Sequence, residues 1–175
     1  MGWKPAQCRV WPRATEGLLM TEDTLWTFAL RLWRRADVER QCLRLQDEYQ
    51  VPVAAVLAAL WLSRRPSPAD AALGRRLLAR AEIMEKDYLR PLREVRRRAA
   101  AESWARELKR QIQEAELEAE RLLLNQLADM AQGAPPTDQP VSALSWLLMV
   151  APEAGVCQGL QATLEALCEA VEASP

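Results

Sequence analysis

The chain contains no histidine. That absence removes the usual neutral-pH general base, the commonest metal ligand and the ordinary partner of a serine or cysteine nucleophile, so the expectation leans away from an enzyme. The four cysteines, Cys8, Cys42, Cys157 and Cys168, form no CxxC pair and no zinc-type spacing. They read as small buried hydrophobes of a reducing compartment rather than as metal ligands or redox groups. No DxxxD or DDxxD occurs, which sets aside the all-helical condensing enzymes that hold magnesium and pyrophosphate with such pairs. No catalytic residue, metal or cofactor is expected. Long hydrophobic runs are missing too: the longest charge-free apolar stretch, Val51 to Ser63, is about half a membrane span. The first residues, MGWKPAQCRVWPRATEG, lack the apolar region of a secretory signal. A cytoplasmic protein with no membrane span is expected.

Glycine is also scarce, at six residues, while Ala, Leu, Arg and Glu dominate. Those side chains lose little rotamer freedom in a helical turn. Half of the 175 residues are apolar, enough for one buried core. The expected fold is all-α, a single domain over residues 21–175, with six to eight helices and one long amphipathic helix. Residues 1–20 are interrupted by Pro5, Pro12 and Gly17 and read as a disordered tail or as an overextended start ahead of Met20.

Three apolar segments crowd into Leu25 to Leu62. Thr21 or Thr24 can cap a first helix, LWTFALRLW, whose only polar positions are Thr27 and Arg31. In a second helix, about Ala36 to Tyr49, Val38, Cys42, Leu45 and Tyr49 form one stripe. Pro52 suits the first turn of a third, which ends in Arg64 and Arg65 and stops at Pro66. The first and third helices are apolar enough to be central.

Ser67 and Pro68 predict the start of a fourth helix with the stripe Leu73, Leu77, Ala81, Met84 and Tyr88. Pro91 predicts a kink or break between Asp87 and Leu92, because it removes a hydrogen bond to the Asp87 carbonyl. From Pro91 to about Gln132 nothing forbids a long amphipathic helix with Leu108, Ile112, Ala115, Ala119, Leu122 and Leu123 in register, and Ala99 to Ser103 is the place for an interruption. Residues 133–140 read as a loop. Helices over Ser142 to Val150 and about Ala154 to Val171 follow, the last with the stripe Val156, Leu160, Leu164, Leu167 and Val171.

A net charge of −1 hides segregation. Residues 75–110 hold twelve Lys or Arg against six Asp or Glu, whereas residues 111–175 hold one against ten. The densest basic piece is Arg90, Arg93, Arg96, Arg97 and Arg98, with Arg90, Arg93 and Arg97 on one helical face. Such a face suits an acidic partner or phosphates, or it pairs internally with Glu114, Glu116, Glu118 and Glu120, which are numerous enough to neutralise it. Glu116 and Glu120, one turn apart, read as solvent-exposed rather than as a cation site. Nucleic acid is disfavoured as a partner, since basic pI, aromatic platform and motif are all missing.

Gln46 and Asp47 interrupt an apolar neighbourhood and, with Tyr88, are the polar candidates for a core network or pocket. A capping role for Asp47, held by Arg44 or by the start of the third helix, is favoured. Trp61 and Trp146 read as core. Trp104, flanked by Glu102, Ser103, Arg106 and Glu107, reads as an exposed contact residue.

The segments LWTFALRLW (25–33), CLRLQDEY (42–49), LWL (60–62), PLREVRRR (91–98) and ELEAE (116–120) together resemble an uncharacterised family of small all-helical proteobacterial proteins with no assigned activity, across about residues 21–130. In the family pattern, the Asp at position 47 is followed by a short segment containing Gly and then Asp-Val-Asn; this chain has Gln50, Pro52 and Ala54 there. That departure favours a structural role for the region, and the resemblance supports Met20 as the natural start. The functional expectation is a protein-interaction protein whose partner-binding candidates are Arg90, Arg93, Arg96, Arg97 and Trp104. The alternative is a helical domain for a small molecule or lipid, a degenerate enzyme included, with a pocket near Gln46, Asp47 and Tyr88.

Overall fold

The computed structural model of the chain describes residues 24–66, 68, 70–132, 141–151 and 157–173. The expectations for residues 1–20, for Thr21 and Ser67 as caps, for the 133–140 loop and for Val156 lie outside these residues. Among the described residues the chain is all-helical, with eight α-helices: α1 (Leu25–Trp33), α2 (Ala36–Tyr49), α3 (Val53–Leu62), α4 (Ala71–Met84), α5 (Arg90–Ala101), α6 (Arg106–Ala131), α7 (Ala143–Val150) and α8 (Gln158–Glu172). None is long and apolar enough to cross a membrane.

The centre is α3. Nine of its ten residues are buried, because α1, α2, α4, α6 and α7 all pack around it. A helix apolar on every face is stable in water only when enclosed in this way. α1 is one-sided by comparison, burying Leu25, Phe28, Ala29, Leu32 and Trp33. Thr24 caps it, its Oγ1 accepting from the Thr27 N–H at 3.2 Å. α2 buries Val38, Cys42 and Leu45 as the stripe predicts, with Tyr49 half-buried. α3 begins one residue beyond Pro52 and ends at Leu62. Beyond it Arg65 lies over the Trp61 ring, 3.7 Å from its centroid, and Arg64 over Phe28 at 5.4 Å.

α4 starts at Ala71 and not at Pro68, since the Asp70 carboxylate accepts from the N–H groups of Ala72 (2.8 Å) and Leu73 (3.1 Å) and so caps the helix there. Gly74 lies close against α7: a β-carbon on it would lie 2.6 Å from Met149 Cβ. α7 buries Trp146, Leu147 and Val150 over α3 and α4. The Trp146 indole N–H is buried with no acceptor among the described residues. α8 lies antiparallel along α2: the Arg35 guanidinium reaches the Ala170 and Val171 carbonyls at the end of α8, while Tyr49 faces Gly159 at its start. Such a guanidinium satisfies carbonyls that the helix end leaves without donors.

The expected break at Pro91 takes another form. Residues Glu85–Leu89 make one π-helical turn, closed by the Arg90 N–H donating to the Glu85 carbonyl, and the helix continues into α5 with Pro91 in its first turn. A π turn holds one extra residue, so the position after Met84 on the buried face passes to Leu89. Tyr88, the residue that α-helical spacing assigns to the core, is 56% exposed.

The expected interruption between Ala99 and Ser103 is a full reversal. After α5 the chain turns through Glu102 and a 3-10 turn, Ser103–Ala105, and α6 runs back antiparallel to α5. The outer part of this helical hairpin packs on itself through a small second cluster, Ala99, Ala105 and Ile112 with Leu92. We call it the arm. The inner half of α6 joins the main core with Leu123, Leu124 and Leu127.

Candidate functional site

The arm meets the bundle at a buried ionic shoulder. Arg93, on α5, donates to Glu116 (Nε to Oε1, 3.0 Å), to Glu120 (Nη2 to Oε1, 3.2 Å) and through Nη1 to Glu85. Arg96 donates to the other oxygen of Glu116 (Nε to Oε2, 2.6 Å). From α2, Gln46 Nε2 lies 3.4 Å from Glu85 Oε1. Glu116 and Glu120 are each only 5% exposed, so the reading of them as a solvated face is overturned. The buried stripe of α6 runs Ile112, Glu116, Glu120, Leu123, Leu124 and Leu127, while Leu108 and Leu122, assigned to it by sequence, are exposed. Burial opposes the charge on Arg93, yet the facing carboxylates of Glu85, Glu120 and Glu116 outweigh it and raise the guanidinium above its ordinary pKa.

The signal for this shoulder was present in the spacing. Glu116 and Glu120 sit in line with Ile112, Leu123 and Leu127, and Arg93 and Arg96 share one face of α5. Only the hairpin reversal, which brings α5 against α6, turns these two charged faces into an interior. The internal pairing of basic and acidic segments therefore holds for Arg93 and Arg96 with Glu116 and Glu120. Glu114 and Glu118 make a different kind of pair, on the surface of α6 itself, with Arg110 and Arg121.

The polar pocket candidates do not converge. Asp47 is exposed, and Arg44 pairs with Glu48 at 2.9 Å instead of holding it. Gln50 at the end of α2 adopts a left-handed conformation (φ 57°), with its side-chain amide donating to the carbonyls of Gln46 and Asp47. Glycine is the residue that such a backbone favours. Tyr88 faces solvent on the π turn. The crevice beside the shoulder, lined by Pro52, Leu57, Ala81, Leu89 and Leu124 with Glu85 and Glu120 at one side, has a volume of about 10 Å³. That is room for one water and not for a metabolite. Among the described residues no group of His, Cys, Asp or Glu is arranged to hold a metal.

What the arm offers instead is its outer surface. Trp104, in the 3-10 turn at the tip, is 77% exposed. Val95 on α5 and Leu108 on α6 are exposed too. Arg98 pairs with Glu94, and Arg110 with Glu107 and Glu114. Arg90, Arg97, Arg106 and Lys109 are exposed and make no ion pair among the described residues. Of the five residues proposed from sequence for a partner, Arg90, Arg97 and Trp104 thus lie on the free surface, and Arg93 and Arg96 belong to the shoulder that carries it.

No curated protein and no solved structure matches the chain. The family described as "protein of unknown function (DUF2390)" matches residues 24–127, more than half of the chain. The match runs from the cap of α1 through the shoulder and the whole arm to the inner end of α6, and the chain belongs to that family.

Proposed function

We propose that the protein is a non-enzymatic, cytoplasmic interaction protein whose arm docks onto an acidic surface of a protein partner. One observation carries this reading: a tryptophan 77% exposed at the tip of a projecting hairpin, on an arm where four exposed cations make no ion pair among the described residues. Large aromatic and arginine side chains supply most of the binding free energy at protein interfaces, and an exposed indole is the side chain such contacts use most. The shoulder supports the reading by fixing the arm's angle to the bundle, so that the tip is presented by a rigid base. Exposed cations that make no ion pair among the described residues favour encounter with negative charge.

The test is capture from the native cell by the full chain, by Trp104→Ala and by the triple reversal Arg97→Glu, Arg106→Glu, Lys109→Glu, with Tyr88→Ala as the off-arm control. These substitutions spare the shoulder, so folding is expected to survive them. A protein retained by the parent chain and the control, and lost from both arm variants, is the expected result. Recovery indifferent to both arm variants would remove the arm from the function.

A further inference from the structure

A second surface on this chain has the chemistry that the arm lacks. On α8, Glu165, Glu169 and Glu172 are all exposed and recur at i, i+4 and i+7, forming one acidic ridge. None of the three makes an ion pair among the described residues; Glu165 only accepts a hydrogen bond from the side-chain amide of Gln161, at 2.9 Å. Like charges at this spacing destabilise a helix slightly, so the ridge favours a cationic neighbour, and none of the described residues provides one. The ridge spans about 10 Å along the helix, since seven residues rise about 1.5 Å each. Arg90 and Arg97 on the arm are also seven residues apart, and Arg106 and Lys109 follow on the antiparallel helix. The two surfaces are opposite in sign, and Arg90 and Arg97 are spaced as the two ends of the ridge are.

Among the described residues, arm helix α5 packs chiefly on α6 and the turns that flank it, whereas α8 packs chiefly on α2 and α7.

We infer that the arm of one copy docks on the α8 ridge of a second copy, Arg90, Arg97, Arg106 and Lys109 facing Glu165, Glu169 and Glu172, with Trp104 seated beside them. This rests on the arm being a docking element for acidic protein surfaces and names its partner as the chain itself. When each of two copies gives its arm and receives the other's, the contact closes on a two-fold axis; when it does not close, the same contact runs head to tail. Either way the attraction is between exposed charges and weakens as salt shortens the Debye length.

The experiment is sedimentation of the full chain at low and high salt, alone and in mixtures of two reversed variants. One variant carries Arg97→Glu, Arg106→Glu and Lys109→Glu; the other carries Glu165→Lys, Glu169→Lys and Glu172→Lys. Circular dichroism checks that each remains folded. The parent chain is expected to self-associate, more tightly at low salt. Each variant alone presents two surfaces of one sign, and its association constant is expected to fall by more than about a hundredfold. Mixed in equal amounts they are expected to associate with each other, because the reversed arm of one then fits the reversed ridge of the other. A parent chain monomeric at every salt and concentration overturns the inference, and so does association that survives either reversal or is not restored by mixing. To separate this from failure of the broader reading, immobilised poly-L-glutamate serves as an acidic probe. A monomeric chain that still binds the probe through Trp104 and the arm cations loses only the self-partner, whereas one that does neither loses the acidic docking role as well.

Discussion

The bundle and the arm belong to one chain and are held together by opposite means. In the bundle, α3 is enclosed by apolar side chains, and removal of hydrocarbon from water supplies the stability. At the base of the arm the interior is a set of charges: two guanidiniums and three carboxylates hold α5, α6 and the π turn in register, while the apolar cluster further out is small. A charged interior of this kind confers geometry more than stability, because desolvation consumes most of the coulombic gain. A filled apolar core tolerates rearrangement of many small contacts; the shoulder depends on a few directional ones.

The sharpest way to break that contrast is Arg93→Ala. It leaves Glu85, Glu116 and Glu120 facing one another in a buried site, and the expected loss is about 3–5 kcal/mol in urea unfolding. Hydrogen exchange distinguishes where the loss falls: α5 amides are expected to lose protection more than those of α3. The complementary chain, with Arg93, Arg96 and Glu85 replaced by Met and with Glu116 and Glu120 replaced by Leu, is expected to match or exceed the parent's stability. If that apolar shoulder were as damaging as Arg93→Ala, the network would be a source of stability rather than of geometry.

On the bundle side the corresponding probe is Gly74→Ala. Alanine favours a helix over glycine by about 1 kcal/mol, but its β-carbon would sit 2.6 Å from Met149 Cβ, so α7 must move away. A net loss of about 1–3 kcal/mol is expected, read as a lowered urea midpoint with an unchanged slope. An unchanged or raised midpoint would mean that α7 rests on α4 more loosely than the geometry indicates.

How much of this was written in the sequence depends on whether neighbours along the chain or neighbours in space decide the outcome. The helices of the bundle follow from local pattern: α2 is bounded as its stripe predicts, Thr24 caps α1, and the uniformly apolar sequence of α3 alone marks it as enclosed. The π turn was not legible because Pro91 says only that a hydrogen bond must be lost, and an extra residue in the turn was as good a remedy as a break. Its consequence reached Tyr88, which helical spacing assigned to the core. The burial of the shoulder was not legible for a stronger reason. Glutamate in a helix is solvated unless another helix brings a cation, and whether Glu116 met water or Arg93 was decided by the reversal at Glu102. Trp104, whose setting is local, was read correctly as exposed.

A smaller effect lies within the bundle, at the turn from α2 into α3. Gln50 holds φ at 57°, a conformation that disfavours side chains with a β-carbon. Gln50→Gly removes that strain at the loss of two exposed amide hydrogen bonds, and a gain of up to about 1 kcal/mol is expected. Gln50→Val, branched and without the amide, is expected to lose about 1–2 kcal/mol. Thermal midpoints of the two variants on either side of the parent would confirm that the turn from α2 into α3 is a strained position; two falling midpoints would show that the amide bonds dominate.

The smallest effect is a pH dependence on the α8 side. Burial, reinforced by Glu172, Glu165 and Glu169, pushes the Cys168 thiol up from 9.0 to about 11. An acid whose folded pKa is raised ionises first in the unfolded chain. Its contribution to stability is therefore complete below pH 9 and is lost as pH rises toward 11. Because the side chain is only partly buried, solvent screening reduces the energetic consequence well below what the shift alone implies. Other groups titrate in the same window, so the quantity to measure is the difference between the parent and Cys168→Ser in urea midpoint from pH 8 to 11. That difference is expected to narrow with rising pH. Reversal of the three glutamates to lysine is expected to lower the thiol pKa and to bring forward its reaction with iodoacetamide, in a background where Cys8, Cys42 and Cys157 are replaced. If the reversal left the reaction profile unmoved, the glutamates would not be close enough to Cys168 to form one ridge with it, and the negative field ascribed to that face of α8 would fail with it.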